Sequence, residues 1–214
     1  MKRNIFTLAI LFIASLTFAQ NSSEAKGILD KAYSTYTESD GIKLSFKLTT
    51  TEANGTAYQP QSGEAFVKGN KFKLTMDAMN TWFDGKTQWV LMKDVNEVNI
   101  SNPTGEEIAS ISPLALLSMY KTGYTLKAPV TKTVNGKSAY LINMTPTASN
   151  KDFKAVSVAI DKKTNNLLQV NLTMSNGMKN KIDISNYNAN YKFADSEFVF
   201  NKADHKGVEI VDLR

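Results

Sequence analysis

The stretch Gly63–Ser101, GEAFVKGNKFKLTMDAMNTWFDGKTQWVLMKDVNEVNIS, decides the fold. Phe72, Leu74 and Met76 alternate with polar residues, which is the period of a strand with one apolar and one polar face. Asp84-Gly85 separates two apolar runs and is a strong signal for a two-residue hairpin turn. The stretch therefore predicts an antiparallel meander of short strands that presents one large apolar face.

The flanking sequence extends this pattern. Residues 42–48 alternate as a strand, residues 58–67 predict a second one that Pro60 interrupts or places at an edge, and residues 123–199 and 208–211 predict further strands. Residues 22–39 and 106–120 predict helices, and Pro113 predicts a kink or two short helices in the second. The predicted fold is mainly β with a few helices: an unclosed antiparallel β-barrel, a curled sheet of about 11 strands, with a helical lid over an apolar cavity.

The first 19 residues have the pattern of a secretory signal peptide. Lys2 and Arg3 precede an uncharged apolar run from Ile5 to Phe18, and Ala19 is a small residue at the predicted cleavage site. An N-terminal membrane anchor is the alternative, but the run is shorter than the roughly 20 apolar residues of a spanning helix. The sequence therefore predicts a signal peptide over residues 1–19 and export of residues 20–214 as a single domain.

Composition argues against several classes of function. Without Lys2 and Arg3, the 25 basic residues fall to 23 against 20 acidic ones, and the lysines are scattered, so no nucleic-acid-binding patch is predicted. Cysteine is absent, and the single histidine, His205, lies in a polar stretch near the C-terminus. Because no nucleophile–base pair or metal-ligand motif is found, the sequence predicts a protein that is not an enzyme and uses no cofactor or metal.

The methionines allow two interpretations. Apart from Met1, the chain carries them at positions 76, 79, 92, 119, 144, 174 and 178. Methionine is flexible and frequent on surfaces that bind varied apolar partners, but it also fills ordinary cores. Residues 106–120 are apolar on more sides than a surface helix requires. Together these features favour a container for acyl chains.

Three segments of the chain resemble the LolA outer-membrane lipoprotein carriers. They are GEAFVKGNKFKLTM at Gly63–Met76, DGKTQWVLMKDVNEVNI at Asp84–Ile100 and FVFNKADHKGVEIVDLR at Phe198–Arg214. They resemble the family's G-x-x-x-V-K strand, its DGK-x-x-W run, and its ending, in which an F-x-F precedes a KGVEIID-like strand. The resemblance spans nearly the whole mature chain in order.

The resemblance implies a monomeric periplasmic carrier that binds lipoprotein acyl chains in an apolar cavity. It would receive them from a LolCDE-type inner-membrane ABC transporter and pass them to the outer membrane or to a LolB-like receptor. The cavity wall and lid contacts carried over by position are Phe46, Phe72, Leu74, Met76, Trp89, Leu91, Ile111, Leu114 and Leu117. The alternative is a periplasmic lipid-binding or envelope-sensing module of the same fold with a different amphiphilic ligand.

The chain departs from the family pattern after the V-K pair. Many LolA proteins carry an arginine next to a proline there, which is linked to holding the lid closed, whereas here Val67-Lys68 is followed by Gly69-Asn70-Lys71. Lys68 or Lys71 would replace that arginine only as a point charge, without its planar fork of donors. How the lid closes is therefore left open by the sequence.

Overall fold

A single sheet of 13 strands dominates the computed structural model, which describes residues 23–104, 107–108, 112–147 and 152–214. The strands are β1 (Ile42–Thr51), β2 (Gln61–Lys68), β3 (Lys71–Met76), β4 (Met79–Phe83), β5 (Gln88–Met92), β6 (Glu97–Ser101), β7 (Tyr124–Leu126), β8 (Val130–Val134), β9 (Lys137–Pro146), β10 (Phe153–Asp161), β11 (Leu167–Met174), β12 (Lys179–Asn188) and β13 (Glu209–Asp212). Helix α1 covers residues 23–37 and α2 covers Pro113–Ser118, and 3-10 turns occupy Met119–Lys121, Asp195–Phe198 and Lys202–Asp204. The predicted signal peptide lies outside the described residues.

The strand order shows a curled sheet whose two ends do not meet. It runs β13-β6-β5-β4-β3-β2-β1-β12-β11-β10-β9-β7, with β8 also paired to β9. Neighbouring strands are antiparallel except β13, which runs parallel to β6. The path ends at β13 on one side and at β7 and β8 on the other, so the predicted unclosed antiparallel barrel is confirmed.

The structure differs from the prediction in the number and limits of some elements. The sheet has 13 strands rather than about 11, and residues 124–134 contain two separate strands, β7 and β8, that both pair with β9. The strand predicted over residues 58–67 begins only at Gln61, after Pro60, which has no N–H for a ladder. The chain around Phe198 forms a 3-10 turn. Pro113 is the first residue of α2, as one of the two predicted arrangements requires.

The main core lies on the inner face of the curled sheet. Leu44, Ala65 and Leu74 are direct neighbours across β1, β2 and β3, so their side chains share this face. Helix α1 covers it with an apolar stripe that includes the fully buried Leu29 and Ala32. The space inside the curled sheet is therefore bounded by the sheet on one side and by helices on the other.

A second apolar cluster lies on the outer face. Lys73, Trp82 and Trp89 are neighbours across β3, β4 and β5, one position out of step with the inner-face residues. The cluster consists of Trp82, Leu91, Val98, Ile100, Phe200 and Val208, with Trp89 packed against it. The C-terminal segment covers this face, and the rings of Phe200 and Trp82 meet at 5.5 Å between centroids. The expectation of a single apolar face is therefore corrected for β4–β6.

Candidate functional site

An apolar cavity of about 210 Å³ lies between the inner face of the sheet and the helices. Its wall combines side chains from β1, β2, β3, β11 and β12 with one from α2. The lining residues are Leu44, Phe46, Leu48, Ala65, Leu74, Met76, Leu116, Leu167, Val170, Ile182 and Ile184. None of these side chains carries a charge or a hydrogen-bonding group, so the cavity can bind aliphatic groups but cannot pair an ionic headgroup.

Exposure along β1 shows where the cavity opens. Ile42 is fully buried and Leu44 is 2% exposed, whereas Phe46 and Leu48 are half-buried. Leu48 also lines a second depression at the surface, together with the exposed Tyr58. The closed end of the cavity is therefore at Leu44, and its mouth is at Leu48.

Gly63 makes room for the Phe46 side chain in the cavity wall. The two residues are direct neighbours across β1 and β2, and a Cβ atom at Gly63 would lie 2.6 Å from Phe46 Cζ and 2.5 Å from the Thr75 carbonyl oxygen. A side chain at residue 63 would therefore push the ring out of its place and strain the neighbouring strand.

Gly63→Ala is expected to lower the free energy of unfolding by about 1–3 kcal/mol, because the new methyl group overpacks the wall. Urea denaturation followed by circular dichroism measures this loss. The matched control is Gly27→Ala in α1, where nothing lies within 4 Å of the added Cβ. That variant is expected to gain about 0.5–1 kcal/mol, since alanine favours helix more than glycine does. Equal effects at both positions would contradict the steric argument.

Helix α2 and the following 3-10 turn, residues 113–121, form a lid over the cavity. Ser112 caps α2 by accepting a hydrogen bond from the Ala115 N–H at 3.3 Å. Leu116 lines the cavity, and Leu117 is buried in the main core at 1% exposure. The lid is thus held by a cap at its start and by apolar contacts along its inner side.

A polar latch ties the end of the lid to α1. The Tyr120 hydroxyl donates a hydrogen bond to Asp30 Oδ1 at 2.6 Å, and Lys26 Nζ contacts Asp30 Oδ2 at 2.7 Å. Lys121 Nζ lies 3.2 Å from the ring centroid of Tyr33, a cation–π contact between the same two elements. Hydrogen bonds from Lys26 and Tyr120 hold the pKa of Asp30 below its usual value, and burial raises the pKa of Tyr120.

The latch predicts that the lid loosens in acid. Because the pKa of Asp30 is depressed in the folded protein, its contribution is present above the unfolded pKa of about 4 and is lost as pH falls below it. Hydrogen exchange of the α2 amides, corrected for the intrinsic pH dependence, should stay flat above about pH 5 and rise below about pH 4. The Asp30→Asn variant should lack this additional rise, and an identical rise in both proteins would contradict the latch.

Lys68 and Lys71 lie away from the lid, on the outer face. Their Nζ atoms contact the two carboxylate oxygens of Asp195 at 2.9 and 2.8 Å, and Lys68 also donates to the Phe193 carbonyl at 3.2 Å. These bonds lower the pKa of Asp195 to about 2. The two lysines therefore anchor the C-terminal segment, and in the described residues they do not take the place of the lid arginine.

The structure brings together some of the expected site residues and separates others. Phe46, Leu74 and Met76 line the cavity. Phe72 is 1% exposed on the same face, where it packs on the Phe83 ring at 5.2 Å beside the cavity.

Two expected wall residues lie elsewhere, and two lid residues cannot be placed. Leu91 belongs to the outer cluster and Trp89 packs against it, so the structure does not bring either to the cavity. Leu117 lies in the main core. Ile111 and the Leu114 side chain fall outside the described part of the chain.

Most of the wall comes from residues that the sequence argument did not single out. They are Leu44, Leu48, Ala65, Leu116, Leu167, Val170, Ile182 and Ile184. Alternation on β1 could have revealed Leu44 and Leu48 as companions of Phe46. For β11 and β12 the missing information was that β12 pairs with β1 and β11 with β12, which joins distant parts of the chain.

Two further observations concern the described residues alone. No helix among them is long and apolar enough to cross a membrane. Within the same ranges, no group of three acidic or histidine side chains is arranged to hold a metal ion.

Comparison with solved structures shows the fold. A conserved uncharacterised protein from Thermus thermophilus has a TM-score of 0.55 at 12% identity, over 88% of this chain and 99% of that one. A LolA superfamily protein from Nitrosomonas europaea has a TM-score of 0.44 at 12% identity, over 82% and 97%. MucB from the Pseudomonas aeruginosa MucA/MucB complex has a TM-score of 0.45 at 14% identity, over 84% and 62%.

Comparison with protein families identifies the chain more directly. None of the curated proteins compared matches it significantly. Residues 15–177 match the family described as outer membrane lipoprotein carrier protein LolA, which covers the first helix, the meander, the lid and most of the cavity wall. The chain therefore belongs to the LolA family of outer membrane lipoprotein carrier proteins.

Proposed function

We propose that the protein is a periplasmic carrier that binds lipoprotein acyl chains in its apolar cavity and moves them from the inner to the outer membrane. The observation that carries the proposal is a cavity lined only by apolar side chains and covered by a lid. The family match supports it. The partners in this proposal are a LolCDE-type transporter as donor and the outer membrane or a LolB-like receptor as acceptor.

The free energy of acyl-chain binding in this cavity is consistent with reversible loading of the cargo. Burial of an acyl chain gains about 0.8 kcal/mol for each methylene removed from water. Leu116 and Leu117 of the lid already bury their side chains against the cavity and the core. Loading must displace some of these contacts, which offsets part of the gain and allows the cargo to leave.

The volume of the closed cavity supports a second candidate, a periplasmic lipid-binding or envelope-sensing module with a smaller amphiphilic ligand. About 210 Å³ lies below the ~300–1,000 Å³ of common ligand pockets. A cargo with several acyl chains therefore requires the lid to move outward, whereas one chain needs a smaller displacement. The two candidates differ in the size of the bound ligand.

Native mass spectrometry of the mature protein from a periplasmic extract tests the proposal. Bound lipoprotein, or adducts with the mass of a triacylated peptide, is the expected result. Adducts of free fatty acid or phospholipid alone would favour the smaller-ligand candidate. An empty protein that also fails to extract lipoprotein from inner-membrane vesicles would overturn both.

A reporter for such binding has to face the cavity. Trp82 is buried in the outer cluster and Trp89 packs against that cluster, on the face of the sheet opposite to the cavity. Their fluorescence reports on the C-terminal segment more directly than on bound acyl chains. Displacement of a fluorescent fatty acid from the cavity is therefore the better solution assay.

A further inference from the structure

Two tyrosine hydroxyls are buried in the core without a hydrogen-bond partner among the described residues: those of Tyr36 and Tyr187. Their rings meet edge to face at 5.7 Å between centroids. A buried hydroxyl without a partner loses the hydrogen bonds it makes to water and gains none, so phenylalanine would pack in both places at lower cost. The packing of the described residues therefore does not account for these two oxygens.

A bulge in the sheet turns Tyr187 toward the interior. Lys43 pairs with Asn188 and Ser45 with Ser185, so the single residue Leu44 stands opposite two residues of β12. The extra residue is Asn186, which adopts a left-handed backbone conformation with φ of 48°. A bulge of this kind redirects the side chains that follow it. Tyr187 thereby packs against the inner core.

The tyrosine pair lies beside Leu44 at the closed end of the cavity, although neither ring lines the cavity itself. Leu44, the residue opposite the bulge, lines the cavity and is its most buried wall residue on β1. Tyr187 stands with Asn186 opposite Leu44, and Tyr36, a member of the same buried cluster on α1, meets the Tyr187 ring. The distance along β1 from the mouth at Leu48 to Leu44 is about 13 Å, at roughly 3.3 Å for each residue. A chain that enters at the mouth and extends past Leu44 would therefore come to the two hydroxyls.

The surroundings of the two tyrosine hydroxyls favour an uncharged oxygen atom of a ligand as their hydrogen-bond partner. Burial raises the pKa of Tyr36 and of Tyr187, so both hydroxyls are protonated at neutral pH and can donate. The surrounding core cluster of described residues holds apolar and aromatic side chains. A carboxylate would be buried there without a cation, which is strongly unfavourable, whereas a hydroxyl, keto or ester oxygen could pair with both tyrosines.

We propose that Tyr36 and Tyr187 form a specificity site for long aliphatic chains that carry a neutral oxygen at their inner end, which the two hydroxyls bind at the closed end of the cavity. The inference rests on the proposed function in one respect, that the cavity takes acyl chains. It adds that chains ending in oxygen are preferred over chains ending in a methyl group.

A matched pair of fatty acids, ω-hydroxydodecanoate and dodecanoate, tests the proposal by competition with a fluorescent fatty acid. Both keep the carboxylate at the mouth, and they differ only in the terminal hydroxyl. The unaltered protein is expected to bind the hydroxylated chain about tenfold more tightly, as two added hydrogen bonds would provide. The Tyr36→Phe, Tyr187→Phe double variant should keep its affinity for dodecanoate and lose or invert the preference.

Controls separate this proposal from the carrier function and from loss of structure. Tyr191→Phe removes a hydroxyl from a 40% exposed ring in the C-terminal segment and should leave the preference intact. The double variant without ligand should unfold at the same temperature as the original protein or higher, because it no longer buries unpaired hydroxyls.

The remaining outcomes each overturn a defined claim. Equal affinity of the original protein for both fatty acids would overturn the tyrosine site and leave acyl binding standing. If the double variant still prefers the hydroxylated fatty acid, the tyrosine site is likewise overturned and acyl binding still stands. If neither fatty acid competes and lipoprotein does not bind either, the proposed function fails and the specificity site fails with it.

Discussion

Replacing Leu74 by glutamine is expected to weaken acyl-chain binding by roughly ten- to a hundredfold. Leu74 lines the cavity and is half-buried in the empty protein. An acyl chain in the cavity would remove water from the new amide, and no partner among the described wall residues could replace its hydrogen bonds. Leaving such a group unpaired costs about 1–3 kcal/mol, and each 1.4 kcal/mol is a factor of ten in affinity.

The adjacent residue offers a matched control for this experiment. Thr75 is also half-buried on β3 but faces the opposite side of the sheet, where it stands beside Glu64 and Asn80. Thr75→Gln therefore places the same side chain one position away, outside the cavity, and should leave binding within about twofold because residue 75 does not line the cavity. Competition with a fluorescent fatty acid measures both affinities, and urea denaturation measures both stabilities. Equal losses of affinity at the two positions would count against the cavity as the binding site.

Tyr120→Phe is expected to raise the population of the open lid about five- to thirtyfold. The substitution removes the hydrogen bond to Asp30 and keeps the ring, which is 5% exposed. A hydrogen bond to a charged group contributes about 1.5–3 kcal/mol, and we expect about 1–2 kcal/mol because solvent partly screens Asp30. Faster hydrogen exchange of the α2 amides and faster uptake of a fluorescent fatty acid are the two measurements.

A second tyrosine serves as the control for the lid experiment. Tyr191 stacks on Phe193 in the C-terminal segment at 4.6 Å between centroids. Its replacement by phenylalanine also removes one hydroxyl, yet exchange in α2 should stay unchanged. Unchanged exchange in the Tyr120→Phe protein would mean that apolar contacts alone, such as those of Leu116 and Leu117, keep the lid closed.

The class of fold was predictable because it depends on local patterns that repeat along the chain. Alternation predicted β3 and the strand that contains Phe46. Asp84-Gly85 predicted the turn between β4 and β5, which spans residues 84–87 rather than the two residues expected. Pro113 predicted either a kink or the start of a second short helix, and α2 begins there. Each of these signals depends only on neighbours within a few residues, so the local structure it predicts does not depend on the tertiary arrangement.

The cavity wall was predictable only within single strands. Phe46, Leu74 and Met76 do face the cavity, but Trp89 and Leu91 face the other side. Alternation shows that two residues of one strand share a face, whereas the relation between strands depends on register. A shift of one residue moves every side chain of a strand to the opposite face.

The sequence by itself determined the strand periodicity, the turns and the apolar strand faces that have to be buried. Only the tertiary structure decided which apolar residues share that interior, because Phe46 and Ile184 become neighbours through the pairing of β1 with β12. It also decided the latch, since Asp30 and Tyr120 lie 90 positions apart. Local propensity acts over a few residues, whereas pairing across such separations depends on the packing of the whole chain.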